Sequence, residues 1–336
     1  MTDLDLSRLH TNQRLFVEEL TKRGAELRAI DYDLELLQVT YNGKTEYLLD
    51  RTSKVTSYLS SSLAADKHLT KYVLERNGIA VPKGELFAAG QVEEAFDYAE
   101  NIGYSVVIKP NVGSHGELIW SGIEDRAQLN EALQSFSEQT GNDKHFIVEE
   151  HIDGLEHRIF ITTKGDYAVL QREPARVVGD GESTIRQLAE ADSLARKEIK
   201  EEEGSALCPV ALDQTAENFL KRKGMDFNSV PAADEKVYLR LSSNLAQGGL
   251  SIDMTDVVHP SAIEIAKEAL AAFEGLPCLG VDFLTPDITV DQGRVGYAII
   301  EANANPGLAM HHMPAIGQPR NVSGYLADVM FPDLTK

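Results

Sequence analysis

Long apolar runs are missing from this 336-residue sequence, and none reaches the roughly 20 residues that a membrane-spanning helix needs. The opening MTDLDLSRLH also lacks the basic start and apolar block of a secretory leader. Both absences point to a cytoplasmic chain with no membrane partner. Cysteine is scarce: Cys208 and Cys278 stand 70 residues apart without CxxC or zinc-type spacing, which reads as two reduced packing residues. No basic cluster relieves a formal charge of −21, so nucleic acid is excluded as a partner because its phosphates would be repelled. Internal repeats, low-complexity tracts, long linkers and the phosphate-loop pattern GxxxxGKS/T are all absent.

What is present is the composition of a globular protein, 43% hydrophobic and 25% charged, at a length that suits about two domains. NQRLFVEELTKRGAELR sets Leu15, Phe16, Leu20 and Leu27 at near-helical spacing, and LELLQVTYNGKTEYLLD reads as a hairpin turning at Asn42-Gly43. These make a small N-terminal segment, residues 1–62. A helix in ADKHLTKYVLERNGIAVP begins near Ala65. Further helices near 92–102 and 125–139, the strands SVVIKP and FIVEE, and a hairpin turning at Lys164-Gly165 read as one α+β module over about 83–175. A polar helix over 184–203 follows, with RKEIKEEEG as a solvated face and 204–235 as irregular chain. The strands KVYLRLS, CLGVDFLT and GYAIIEAN around the helix PSAIEIAKEALAAFEG make a second α+β module. Three divisions result: 1–62, 63–182 and 183–336.

Chemistry concentrates in four places. Glu301 and Asn303 share one side of a strand, and if CLGVDFLT pairs with it antiparallel, Asp282 converges on them as a hard-oxygen set suited to magnesium. Lys109 ends SVVIKP ahead of a loop with Gly113 and Gly116, a cation and backbone amides that suit phosphate. In FIVEEHIDGLEHRIF, Glu149, Glu150 and Glu156 surround a turn whose backbone edge suits an adenine rim and whose carboxylates suit ribose hydroxyls. In YLRLSSNLAQGGLSID, Arg240 precedes Ser242, Ser243, Asn244, Gln247, Gly248 and Gly249, small groups that let a ligand approach the backbone. Each group alone reads equally as a turn, a solvated strand end or a structural loop. Jointly they describe one nucleotide and metal site.

Seven segments in order, ADKHLTKYVLERNGIAVP, VVIKPNVGSHG, FIVEEHIDGLEHR, REPARVVGDGESTI, KVYLRLSSNLAQGGLSIDMTD, GVDFL and EANANPGLAMH, resemble the ATP-grasp superfamily of carboxylate–amine ligases. Over about residues 62–333 the chain is similar to the ATP-grasp domains of bifunctional glutathione synthetases and cyanophycin synthetases, and its tail MPAIGQPRNVSGYLADVMFP is more like the latter. The resemblance implies an α+β ATP-grasp fold, two α+β modules clasping ATP, with a small N-terminal α/β segment. Lys67 and Lys109 would hold the ATP phosphates beside Gly113 and His115; Glu149, Glu150 and Ile152 would meet adenine and Glu156 the ribose. Asp282, Glu301 and Asn303 would hold two magnesium ions, for which manganese can substitute. Arg240 would face the transferred phosphate or acyl group with Asn244 beside it, while Ser243, Gly248, Gly249 and His311 would border the substrates.

The implied reaction joins an amino acid or short peptide to an amine through an acylphosphate, releasing ADP. A kinase acting on a small acceptor and a non-catalytic ATP-binding regulator are the other readings. Two departures stand out: Ser114 replaces an asparagine of the phosphate-covering loop, and Leu118 its third glycine. The other modules of the larger relatives have no counterpart ahead of residue 62, so a single ligation is expected. Homodimers occur among such proteins, although no heptad or exposed apolar stripe calls for one here.

Overall fold

A computed structural model describes residues 4–113, 118–141, 144–203 and 207–334. The first helix, α1 (Thr11–Lys22), buries Phe16, Val17 and Leu20 along one stripe. Strands β1 (Glu26–Asp31), β2 (Leu36–Tyr41) and β3 (Lys44–Leu49) form a three-stranded antiparallel sheet. Its β2–β3 turn is the expected one: Asn42 and Gly43 both take positive φ, 46° and 72°, as a tight hairpin requires.

The next helical stretch is two helices, α2 (Tyr58–Ala65) and α3 (Lys67–Arg76), so the boundary expected at residue 62 falls inside α2. Asp66 separates them because its carboxylate caps α3, accepting from Leu69 N–H at 2.9 Å. The same carboxylate accepts from Asn111 Nδ2 at 2.7 Å, while Asn111 Oδ1 accepts from His68 N–H at 3.0 Å. The start of α3 is thereby fastened to the chain just after the strand that carries Lys109.

That strand belongs to a four-stranded antiparallel sheet. Its chain runs β4 (Gly84–Phe87), α4 (Val92–Ile102), β5 (Val106–Pro110), β6 (Trp120–Ile123), α5 (Arg126–Thr140) and β7 (Phe146–Glu150), with sheet order β4-β7-β5-β6. Phe87, Phe96, Phe136 and Phe146 fill the core beneath α4 and α5.

The hairpin β8 (Leu155–Thr162) and β9 (Tyr167–Glu173) turns at Lys164-Gly165 as expected, but it does not join this sheet. It lies in a second sheet of order β12-β9-β8-β13-β14, so the module read over 83–175 divides between Glu150 and Leu155. Between β9 and β12 the chain makes an excursion: β10 (Arg176–Val178), α6 (Ile185–Glu203), α7 (Gln214–Arg222) and β11 (Lys236–Tyr238) enclose their own small core of Val177, Ile185, Leu220, Phe227 and Leu239. Helix α7 corrects the expectation of irregular chain over 204–235; Asp213 caps it and Phe219 and Leu220 are buried.

The chain then returns as β12 (Leu250–Asp253), which pairs with β9 so that Leu250 lies opposite Glu173. Helix α8 (Pro260–Ala272), β13 (Cys278–Thr285), α9 (Gln292–Val295), β14 (Ala298–Asn303), α10 (Ala309–His312) and α11 (Val322–Met330) complete the described chain. One face of the five-stranded sheet packs on α8 through Ile159, Ile161, Val281 and Phe283. At one end of the other face, Phe160, Ala168 and Cys278 pack with α1, α11 and the N-terminal sheet. The N-terminal segment is therefore part of this second body's core. No helix among the described residues is long and apolar enough to cross a membrane.

Candidate active site

Strand register assembles the site on the remaining part of that second face. Strands β13 and β14 are antiparallel, with Asp282 opposite Glu301 and Gly280 opposite Asn303. Directly opposed residues share a face, so the three oxygen-bearing side chains lie together as the alternation implied. On the other side of β13, Asp282 faces Arg158 of β8, and two residues along β8, Glu156 faces Arg172 of β9. Two rows of charge thus cross four strands.

Hydrogen bonds tie these rows together. Arg158 grips Asp282 through Nε and through Nη2 at 3.1 Å, and Arg172 Nη2 reaches the same carboxylate at 2.8 Å. Arg172 also pairs with Glu156, whose second oxygen accepts from Ser243 Oγ. Burial alone would raise the Asp282 pKa, but Arg158 and Arg172 hold it below the ordinary carboxylate range. Glu301 is half-buried, with Lys67 Nζ 3.8 Å from its Oε2. The Asn303 Nδ2 atom is buried and has no hydrogen-bond partner among the described residues. Two carboxylates and the Asn303 side-chain carbonyl on one face offer the oxygen ligands of a hard divalent cation, and the unpaired Nδ2–H is left to donate to an anion such as phosphate.

The turn after Asn303 is held by the N-terminal segment. Asn305 Nδ2 donates to Asp50 Oδ2 at 2.6 Å, Arg51 Nη2 donates to Asn305 O at 3.2 Å, and Asn12 Oδ1 accepts from Leu308 and Ala309 N–H at 2.8 and 2.9 Å.

Cations arrive from the four-stranded sheet and α3. Lys67 donates to Gly113 O at 2.7 Å, and Lys109 Nζ lies 3.4 Å from Ile300 O of β14. Glu149 is fully buried and faces lysines on both sides: Oε1 is 2.7 Å from Lys109 Nζ, and Oε2 pairs with Lys71 Nζ. Buried between two lysines, Glu149 faces their ammonium groups at the position where an adenine contact was expected, whereas Glu156 is only half-buried. Burial would raise its pKa, yet Lys109 and Lys71 hold it low. Burial pushes Lys71 down to about 8, against the pull of Glu149. Glu150 and Ile152 are half-buried at the end of this strand, and Glu150 is fixed by Lys83 N–H at 2.9 Å. His115, with the glycine-loop residues 114–117, lies outside the described residues.

Arg240 is buried two residues beyond the end of β11, not within a strand as expected. Its guanidinium bonds Gln247 Oε1 at 2.6 Å and Ala211 O at 2.9 Å and lies 3.3 Å from Asp213. Asn244 caps a short turn, accepting from Ala246 N–H at 2.9 Å. Gly248 has φ +94°, and a Cβ there would come within 2.6 Å of Val210 Cα, so glycine is required for packing. Gly249 lies equally close against Asn244 O and Glu173 O, at 3.0 Å for an added Cβ. Arg196, read as part of a solvated charge run, is instead buried and donates to Gly248 O at 2.7 Å and Cys208 O at 3.0 Å.

His311 corrects another expectation. It is completely buried, edge-on to Phe160 at 6.0 Å, and among the described residues neither ring nitrogen has a hydrogen-bond partner. Substrate contact was expected, but no part of the ring reaches an exposed surface. Burial, followed by the charge of Arg158, pushes its pKa down to about 3. The folded value lies below the unfolded one of about 6.5, so the unfolded chain takes up the proton first and stability falls as pH drops from 6.5, by about 1.4 kcal/mol per unit. His311→Leu is expected to flatten this acid limb in urea unfolding between pH 7 and 4.5. Parallel slopes for variant and wild type would refute it.

Lys71, Arg158 and Arg172 are site residues that sequence reasoning missed. Their signals were local but mute: Lys71 is one helical turn after Lys67, Arg158 two strand positions after Glu156, and Arg172 depends on the register of β9.

The family description "Carbamoyl-phosphate synthase L chain, ATP binding domain" matches residues 66–165. The cyanophycin synthetase of Geminocystis herdmanii is 35% identical over 98% of this chain and 38% of its own length. The glutathione biosynthesis bifunctional protein GshAB of Clostridium perfringens is 33% identical over 98% of this chain and 41% of its own. The crystal structure of a bifunctional glutathione synthetase from Pasteurella multocida superposes with a TM-score of 0.69 at 29% identity, covering 97% of this chain and 44% of that one. The chain thus spans about two fifths of the length of the curated relatives it matches.

Proposed function

The chain is a member of the ATP-grasp superfamily, and on that premise we propose that it is an ATP-dependent carboxylate–amine ligase acting on an amino acid or short peptide. The observation that carries this reading is the meeting of two charge sets: Lys67 and Lys109 lie against β14, where Glu301 and Asn303 stand opposite Asp282 and Gly280. Such a combination suits a triphosphate, whose charge must be offset before an anionic carboxylate can approach it.

In this reading Lys67 and Lys109 hold phosphate oxygens, and the Lys71–Glu149 pair fixes the Lys109 ammonium. Glu150 and Ile152 border adenine, and Glu156 accepts the ribose hydroxyls. Asp282, Glu301 and Asn303 would hold magnesium, which when bound supplies further positive charge to the terminal phosphates. A substrate carboxylate attacks the γ-phosphorus, giving an acylphosphate and ADP; an amine then displaces phosphate and leaves an amide. Arg240 faces the developing charge at the acyl centre. By joining the loops of Ala211 and Gln247, it also positions the wall formed by Ser243, Asn244, Gly248 and Gly249. No nucleophilic side chain is needed, because the substrate carboxylate is the nucleophile.

The relatives named for cyanophycin and glutathione synthesis support amino acids and short peptides as the substrate class. ADP release should require both a carboxylate and an amine, and the product mass should equal their sum less one water. Release with a carboxylate alone, giving a stable phosphorylated product, would make the protein a kinase; nucleotide binding without turnover on any pair would make it a regulator.

A further inference from the structure

We propose that Arg172 is an internal counter-ion that competes with a free divalent cation for Asp282, so that the site favours a cation arriving with nucleotide phosphates. The inference rests on the reading of Asp282, Glu301 and Asn303 as metal ligands and adds what controls their affinity. Its basis is one nitrogen atom: Arg172 Nη2 donates both to Glu156 Oε1 and to Asp282 Oδ2, the latter at 2.8 Å. Arg158 bonds both Asp282 oxygens, Oδ1 through Nε and Oδ2 through Nη2, so Oδ2 is shared by two guanidiniums, and the two guanidiniums and two carboxylates form an electrically balanced set. A free cation at Asp282 must displace or crowd a guanidinium, and it brings nothing to offset that loss. A cation carried by phosphates brings its own anionic ligands.

Arg172 is shared, so its hold on Asp282 depends on Glu156. Removing the Arg172 charge should favour the free cation, while removing the Glu156 charge should release Arg172 towards Asp282 and disfavour it. Arg176 provides the control: it pairs with Glu173 at 3.0 Å and has no contact with Asp282.

The test is manganese titration of the nucleotide-free full chain, followed by the electron paramagnetic resonance of free Mn2+, with a parallel titration in the presence of ATP. Arg172→Gln should bind free Mn2+ about tenfold more tightly than wild type, as expected for loss of a charge at contact distance. Arg172→Lys should return to the wild-type affinity, Glu156→Gln should bind more weakly, and Arg176→Gln should match wild type. If wild type binds Mn2+ with ATP but Arg172→Gln gains no affinity for the free ion, the counter-ion role fails and the metal reading stands. If wild type takes up no Mn2+ under either condition, both fail. Should Arg172→Gln not fold, as judged by circular dichroism, Glu156→Gln decides: an affinity at or above wild type overturns the proposal.

Discussion

Glu301→Gln is expected to lower magnesium-dependent ADP release by on the order of a hundredfold or more, with an unchanged far-UV circular dichroism spectrum. The side chain is half-buried at the end of β14, opposite Asp282, and Lys67 at 3.8 Å is its one salt-bridge partner among the described residues. Glutamine keeps the shape and removes the charge, so the backbone pairing of β13 with β14 should survive. A charge that is weakly paired within the protein contributes little to stability, yet it is the kind of group that a hard cation needs. The loss should therefore appear in turnover and in Mn2+ affinity together. Near-normal turnover at saturating ATP would remove Glu301 from the metal set.

Glu149→Leu is expected to act on stability, by about 3–5 kcal/mol, because it strands buried charge. Lys71 and Lys109 converge on this carboxylate, and Gly84 makes room for the pair: a Cβ at Gly84 would lie 2.7 Å from Glu149 Cβ and 3.0 Å from Lys71 Nζ. Lys71→Met should cost less, since Lys109 still covers Glu149. The two variants also differ in pH dependence. The folded pKa of Lys71, about 8, lies below the ordinary lysine value of 10.5. The unfolded chain therefore binds the extra proton between these values, and stability from this group rises with pH across the window. Without Glu149 the folded pKa falls further and the window opens at lower pH, so Glu149→Leu should recover part of its deficit as pH is raised from 7 towards 9. Urea unfolding across that range checks both statements; a deficit that is small, or equal at all pH values, would show that the lysines do not depend on Glu149.

The correct readings were those carried by short-range periodicity. Asn42-Gly43 was legible as a hairpin because few residue pairs adopt two successive positive φ values. Glu301 and Asn303 were legible as neighbours because strand side chains alternate, and their convergence with Asp282 needed only that two successive strands pair. By contrast, β8 and β9 were read into one module with the strands before them, whereas they lie in the second sheet, because a hairpin's own sequence does not specify which strands flank it. Arg196 looked solvated within its charge run, yet it is drawn inside by the carbonyls of Cys208, 12 residues on, and Gly248, 52 residues on. His311 looked like a substrate contact, but tertiary packing buries it completely, with Phe160 among its neighbours.

By itself the sequence determined the class of fold, the metal-suited strand pair and the lysine that ends β5, since each follows from local pattern and from a family order of motifs. Only the tertiary structure decided which charges neutralise which: Glu149 with Lys71 and Lys109, and Asp282 with Arg158 and Arg172. The physical reason is that alternation and turn preference act between residues a few positions apart. Charge pairing acts through space, between strands whose order the chain settles only when it packs.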